Sequence, residues 1–313
     1  MSGPIAILRP KIDPPSTSIF PYSSMYPTGK LSVDTLDLAI EGLPQRLTGL
    51  KLIQMSDFHA EGWGLPNQLL QSAIDASNRE YPDLVLLTGD FVTYQSEPID
   101  ALAKQLSTLK SRYGTFAILG NHDLIFPDSR SHITDALTDA GITVLWNEVC
   151  YPCGDGLALV GFADLKSRKF YPDRLMPSIP ETIPRIVLAH NPDCAEQLKP
   201  WRVDLQLSGH THGGQILIPG LGSLPAIATR AYHAIPDGIK DAIPALSTMK
   251  RIRQNWDWER GLHQIHRPTC PTGTRPNLLY TNRGLGTYPP GRLFCPPEVT
   301  LFRLHSASPS IGL

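Results

Sequence analysis

Cysteine is scarce in this chain, and the five present make an odd number, so no disulfide framework underlies the fold. The pair Cys150-Tyr-Pro-Cys153 has CxxC spacing, but no second CxxC completes a structural zinc site, and two turn cysteines are the simpler reading. No apolar run approaches the roughly 20 residues of a membrane-spanning helix. A twin-arginine pair is missing, as is a signal-length apolar core after basic residues. The expectation is a cytoplasmic protein, with peripheral contact at a membrane left open. A basic excess is also lacking: 28 Lys and Arg stand against 29 Asp and Glu, a formal net charge of -1. A protein dedicated to gripping nucleic-acid backbones carries such an excess, so no nucleic-acid partner is expected.

Proline, by contrast, is plentiful at 30 residues. Pro4, Pro10, Pro14, Pro15, Pro21 and Pro27 fall among small polar residues near the start, and residues 1–30 read as an extended arm. From residue 31 to 313 one domain is expected, since 41% hydrophobic and 18% charged residues can bury a substantial core. Within it, residues from about 217 to 277 break the pattern. That stretch is rich in Pro and Gly, then carries Lys250, Arg251, Arg253, Trp256, Trp258, Arg260, His263, His266 and Arg267. It reads as a basic and aromatic insertion holding one short helix at most.

Outside the insertion, strand-like and helix-like segments alternate. Leu31 to Ile40 alternates apolar and polar residues as a half-buried strand does, and Leu50 to Met55 is a second strand. Helical spacing runs from Pro66 to Glu80, from Ile99 to Lys110 and from Ser131 to Ala140. Leu84–Leu87, Thr115–Leu119, Thr143–Trp146, Leu157–Phe162, Arg185–Ala189, Val203–Leu207, Leu278–Thr281 and Val299–Leu304 are further strands. The class is therefore α/β.

Just past the ends of these strands lie Asp57-Phe-His59, Gly89-Asp90, Gly120-Asn121-His122-Asp123, His190-Asn-Pro and Gly209-His210-Thr-His212. Loops at that edge of an α/β sheet are where ligands bind. Singly, each has a plain structural reading: Asp57 as a cap, Gly89-Asp90 as a turn, Asn121 as a turn residue, His190 as a satisfied loop histidine. Jointly they supply hard oxygens and imidazoles for two cations, a set that suits Mn, Fe or Zn better than Mg or Ca. Two such ions about 3.5–4 Å apart clamp a phosphoryl group and acidify a bridging water. His132, His233 and His305 match no motif, and His263 and His266 fit a solvated loop.

In this order the motifs resemble the calcineurin-like metallophosphoesterase superfamily, over Asp57 to His212. Gly209 to Gln215, Asn282 to Thr287 and Cys295 to Leu301 resemble one bacterial branch of it. That branch includes cell-wall and phospholipid phosphodiesterases and the calcineurin-like UDP-2,3-diacylglucosamine hydrolase of lipid A biosynthesis. The resemblance implies a four-layer αββα sandwich of two mixed β-sheets flanked by helices. It also implies that Asp57, His59 and His212 hold one metal, that Asn121, His190 and His210 hold another, and that Asp90 bridges. His122 would stay off the metals and protonate the leaving group, with Asp123 orienting it. The arginine that follows the bridging aspartate in protein phosphatases of this fold is missing from Gly89-Asp90-Phe-Val-Thr-Tyr. Thr93 occupies the place of the ligand tyrosine of purple acid phosphatases, and Tyr94 is one step off it.

Three functions remain open on this reading. The first is hydrolysis of a lipid-linked or sugar-nucleotide phosphodiester or pyrophosphate, with Trp256 and Trp258 among basic residues either suited to an anionic headgroup or, equally, packed on the body from an ordinary solvated loop. The second is a soluble nucleotide phosphodiesterase, and the third a non-enzymatic metal-binding scaffold. A complete ligand set with a spare His122 argues against the scaffold. The metal identities and the oligomeric state are not legible.

Overall fold

The computed structural model describes residues 27–61, 64–235, 256–267 and 275–307. In chain order the first strands are β1 (Ser32–Glu41), β2 (Leu50–Met55), β3 (Leu84–Leu87), β4 (Thr115–Ala117) and β5 (Ile142–Val144). Next come β6 (Glu148–Cys150), β7 (Ala158–Gly161), β8 (Arg185–Leu188) and β9 (Leu205–Ser208). A small hairpin, β10 (Leu217–Ile218) and β11 (Gly222–Ser223), precedes β12 (Gly261–Ile265), β13 (Asn277–Thr281) and β14 (Glu298–Ala307). The helices are α1 (Asn67–Arg79), α2 (Pro98–Leu106), α3 (Ser129–Asp139), α4 (Pro172–Leu175), α5 (Cys194–Leu198) and α6 (Leu224–Ala234).

Two six-stranded sheets form, in the orders β1-β14-β2-β3-β4-β5 and β12-β13-β9-β8-β7-β6. Both are mixed: β2 to β5 run parallel while β14 pairs antiparallel with β2. In the second sheet β13, β9, β8 and β7 are parallel, with antiparallel β12 and β6 at its edges. Strand periodicity explains the layering. Leu52, Leu84 and Leu86 of the first sheet meet Leu159, Ile186, Leu188, Leu205 and Leu207 of the second in one core. Their neighbours Ile53, Val85 and Leu87 point the other way, onto Leu69, Ile74, Leu102 and Leu137 of the first three helices. On the far side Val160 and Val187 pack against Met176, Cys194 and Leu198. The result is the four-layer αββα sandwich.

Helix α2 stops at Leu106 rather than continuing to Lys110. Ser107 and Thr108 turn their hydroxyls back on the carbonyls of Lys104 and Gln105, consuming acceptors that a further turn would use. Strand β6 was not expected; it is a three-residue edge strand with one apolar member besides Cys150. The thiols of Cys150 and Cys153 are both free, and burial pushes each up to about 11, so neither is a thiolate at neutral pH.

The segment expected as an insertion is partly built into the body. Its hairpin and α6 are ordered pieces, and β12 extends the second sheet. Trp258 packs on Ala195, Ile265 and Leu279, as the packed one of its two expected readings has it. Lys250, Arg251, Arg253 and the Trp256 side chain lie outside the described residues, as do residues 1–26 of the arm. Pro27 rests on the body, where its carbonyl accepts the Arg292 amide at 2.7 Å. Among the described residues no helix is long and apolar enough to cross a membrane.

One polar side chain stitches the sheets together directly beneath the loops that carry the motifs. Gln54 on β2, fully buried, donates to Thr88 Oγ1 at 3.0 Å and across the sandwich to the Ser208 carbonyl at 2.9 Å. Replacing Gln54 with Leu removes both bonds and leaves the Ser208 carbonyl with only the Asn282 amide, at 2.8 Å. The expected cost is about 1–3 kcal/mol of unfolding free energy, read from urea denaturation of the purified variant.

Candidate dinuclear metal centre

Parallel strands deliver the motif residues to one edge of the sandwich. Loops after β2, β3 and β4 of the first sheet carry Asp57, His59, Asp90, Asn121, His122 and Asp123, and loops after β8 and β9 of the second carry His190, His210 and His212. All nine expected site residues meet there. Five of them, Asp57, His59, Asp90, His210 and His212, sit at φ between 48° and 72°, in the left-handed region that side chains rarely adopt. Strain of that kind persists where surrounding structure imposes it, and it clusters at functional sites. The glycines beside the ligands have no room for a side chain. A Cβ on Gly120 would lie 2.2 Å from Asp90 Oδ1, and one on Gly209 would lie 2.2 Å from Asp57 Oδ2.

Two donor groups result. In each of Asp57/His59/His212 and Asp90/His190/His210, the ligand atoms lie within 4.8 Å of one another. Asp90 faces both groups: its Oδ2 is 3.0 Å from Nε2 of His190 and 3.7 Å from Nε2 of His59. Backbone carbonyls set the histidine tautomers. Nδ1 of His190 meets the Thr88 carbonyl at 2.7 Å, and Nδ1 of His212 meets that of Gly286 at 3.2 Å. A carbonyl only accepts, so each Nδ1 carries a proton and Nε2 turns inward.

Three observations fit cations in this space. Nε2 of His190 is buried against the Asp90 carboxylate at 3.0 Å, an imidazole–carboxylate pair that one cation can take in place of a proton. Nε2 of His59 and Nε2 of His212 face each other at 3.1 Å. The Asn121 amide has two competing orientations. With nitrogen toward His210 it donates to Nδ1 at 2.6 Å, and its oxygen accepts from the His122 amide and from Lys166 Nζ. With oxygen toward His210, two lone pairs meet, an arrangement that a cation between them satisfies.

Electrostatics follow from burial and crowding. Burial pushes His59 and His210 down to about 3, so both rings are neutral with lone pairs available. Burial also lowers His212. For Asp90 burial opposes ionisation, but His190, His59 and His122 outweigh it and hold the carboxyl well below its usual range. His190 is pushed up to about 10, because Asp90 overcomes the effect of burial. Asp57 rises to about 6 through burial, with repulsion from Asp90 adding to it and His190 opposing it.

Asp123 does not orient His122 as expected. Its two oxygens accept four backbone N–H groups, those of Asp90, Phe91, Val92 and Gly120, at 2.8–3.2 Å. It pins the Gly89-Asp90 loop to the Gly120-Asn121 loop. The His122 ring is held instead at Nδ1 by the Thr93 carbonyl at 2.7 Å. His132 pairs with Asp100, His305 with Asp37, and His263 bonds the Arg260 carbonyl, all away from the centre.

Three residues that sequence reasoning passed over, Lys166, Tyr288 and Arg292, shape the site. Tyr288 packs its ring 4.6 Å from that of His59 and 5.0 Å from that of His212. Lys166, Tyr288 and Gln215 line a cleft of about 250 Å³ whose floor includes Asp90, Asn121 and His122. Arg292 is buried beneath, where it donates to Thr287 Oγ1 and to the carbonyls of His212, Arg283, Gly284, Gly286 and Cys295. Nothing in local spacing marks these positions. A second cleft, of about 210 Å³, lies at the opposite ends of the strands, and its Arg202, Arg267 and Arg275 pair with Asp204, Glu181 and Glu41.

The fold and this double donor set define a metal-dependent phosphohydrolase, and comparison with known proteins agrees. The profile of the calcineurin-like phosphoesterase family matches residues 50–214. Phosphodiesterase YaeI of Escherichia coli K12 is 34% identical, over 81% of this chain and 82% of its own length. The UDP-2,3-diacylglucosamine pyrophosphatase LpxG of Chlamydia muridarum is 26% identical over 87% of this chain and 89% of its own. The metallophosphoesterase YkuE of Bacillus subtilis is 29% identical over 85% and 82%. This chain belongs to the calcineurin-like phosphoesterase family, whose members use divalent metals.

Two outcomes are expected from this geometry. Arg292→Lys keeps the charge but cannot span six acceptors, so unfolding free energy should fall by about 3 kcal/mol, measured by chemical denaturation. Cation binding through His190 displaces the proton that Asp90 holds on it. Calorimetric titration of the stripped protein near neutral pH, in two buffers of different ionisation enthalpy, should therefore show net proton release, and affinity should weaken as pH falls. Release of no proton would remove His190 from the ligand set.

Proposed function

We propose that this enzyme hydrolyses a phosphodiester or pyrophosphate of a lipid or sugar nucleotide. The observation that carries the phosphoesterase centre is the Asp90 carboxylate, which faces one donor group at 3.0 Å and the other at 3.7 Å. Asp57, His59 and His212 would hold one cation, Asn121, His190 and His210 the second, and Asp90 both. Mixed carboxylate and imidazole donors suit Mn, Fe or Zn. When bound, a divalent pair neutralises phosphoryl oxygens and lowers the pKa of a water.

The chain's own groups supply the rest. With Nδ1 of His122 tied to the Thr93 carbonyl, only Nε2 can pass a proton to the leaving oxygen. Lys166 opens into the same cleft and has no ion-pair partner among the described residues, so it is available to an anionic oxygen of the substrate. Support for the substrate class comes from the relatives: one is named a phosphodiesterase and one a pyrophosphatase of a lipid-bearing sugar nucleotide.

Protein stripped with EDTA and refilled with Mn should hydrolyse bis-p-nitrophenyl phosphate in preference to p-nitrophenyl phosphate. Asp90→Asn should abolish turnover, and His122→Ala should cut it by roughly 10²–10⁴-fold with metal content unchanged. Two bound metals without turnover of either ester would overturn the diester reading and leave the pyrophosphate one.

A further inference from the structure

Exposed apolar side chains are unevenly distributed over this molecule. Eleven large ones stand exposed among the described residues, and seven of them sit on segments that line the metal cleft or hydrogen-bond to its lining residues. Scattered singly, such residues are ordinary; gathered around one opening, they mark an interaction surface. One wall consists of Leu221, Leu224, Leu293 and Phe294, from two segments that hydrogen-bond to each other. Leu217 donates to the Leu293 carbonyl, and Leu293 to that of Gln215, each at 2.9 Å. Gln215 and Pro225 from the same segments line the cleft, so wall and cleft are continuous. Phe294 is 68% exposed and held at φ 55°, a conformation that L side chains rarely adopt, and it presents its ring to water. A second wall consists of Tyr94, whose ring is 6.4 Å from that of His122, and of Ile125 and Phe126, which follow His122 by three and four residues.

From this placement we infer that the two apolar walls dock onto a lipid bilayer, with the cleft opening onto its phosphate layer. The position of the cleft selects the occupant. A protein partner, or a second copy of this chain, seated across both walls would roof over His122 and the metal ligands and shut out substrate. A bilayer can touch both walls and still deliver a phosphoester between them, its apolar interior taking the side chains. Charge agrees with an anionic surface. Lys166 opens into the cleft, the exposed Arg168 and Lys169 follow it, and none of the three has an ion-pair partner among the described residues. The inference rests on the lipid-substrate reading of the same cleft.

Flotation of the full-length, Mn-loaded protein with phosphatidylcholine–phosphatidylglycerol vesicles tests it. Wild type should float. Leu221→Asp/Phe294→Asp should lose at least tenfold of the bound fraction while hydrolysing soluble bis-p-nitrophenyl phosphate within twofold of wild type. A second variant, Phe294→Trp, retains the apolar character and should gain fluorescence that brominated lipids quench. Wild type that turns over the soluble diester yet neither floats nor, as Phe294→Trp, is quenched overturns bilayer docking and leaves the phosphodiesterase reading standing. Wild type that floats but cleaves no ester overturns the diester reading and leaves docking, with the pyrophosphate reading of the same cleft, in place. A wild-type dimer that the Asp variant converts to monomer would make this face a contact between copies and overturn the inference.

Discussion

A single buried carboxylate governs the architecture at this end of the molecule. Asp90 is withdrawn from water and ionised, and burying such a charge is tolerable only among partners that favour it. Those partners come from both sheets: His59 from the loop after β2, His122 from the loop after β4, and His190 from the loop after β8. The loops must therefore converge on one point, and the two sheets must pack in one register for them to do so. Gln54 helps to set that register by bridging β2 to the end of β9. The same crowding raises Asp57 and His190 from their usual values, in opposition to what a neutral protein interior would favour for the histidine.

Convergence carries a conformational cost, and the structure shows where it is offset. Left-handed backbone at five candidate ligand residues is each time unfavourable by about 1–3 kcal/mol. Against this stand concentrated hydrogen bonds to backbone. Asp123 gathers four amides from the loops around Asp90, and Arg292 gathers carbonyls from the loops around His212. Thr211, between the two histidines of its loop, donates to the Glu259 carbonyl at 2.6 Å. Each anchor is polar, buried and bonded to backbone rather than to the facing donor atoms. The candidate ligands are thus positioned by a rigid shell rather than by their own preferences.

Much of the sandwich was legible because its strands are buried on both faces and therefore read as short apolar runs. Leu84–Leu87 and Arg185–Leu188 are of this kind. Elements at edges carry weaker signals. Strand β6 is three residues long, and β12, Gly-Leu-His-Gln-Ile, has only two large apolar residues. The end of α2 turned on two hydroxyls competing for carbonyls, a local contest that periodicity does not record. Asp123 was assigned to His122 because it adjoins it in sequence, whereas the turn His122–Leu124 points it back at the backbone of the preceding loop.

Sequence alone determined the candidate ligands and their order, because each follows a buried strand and strand ends in an α/β fold share one edge. It also determined the family. Tertiary structure alone decided how the donors divide into two groups, since Asp57 meets His212 and Asp90 meets His190 only when two separate sheets pack face to face. Tyr288, Arg292 and the apolar walls of Leu221 and Phe294 likewise acquire meaning only in three dimensions. Their neighbours in space lie far away in the chain: Tyr288 reaches His59 across 229 positions. Local spacing cannot encode such pairs, because register between the sheets, and not the chain's own periodicity, brings them together.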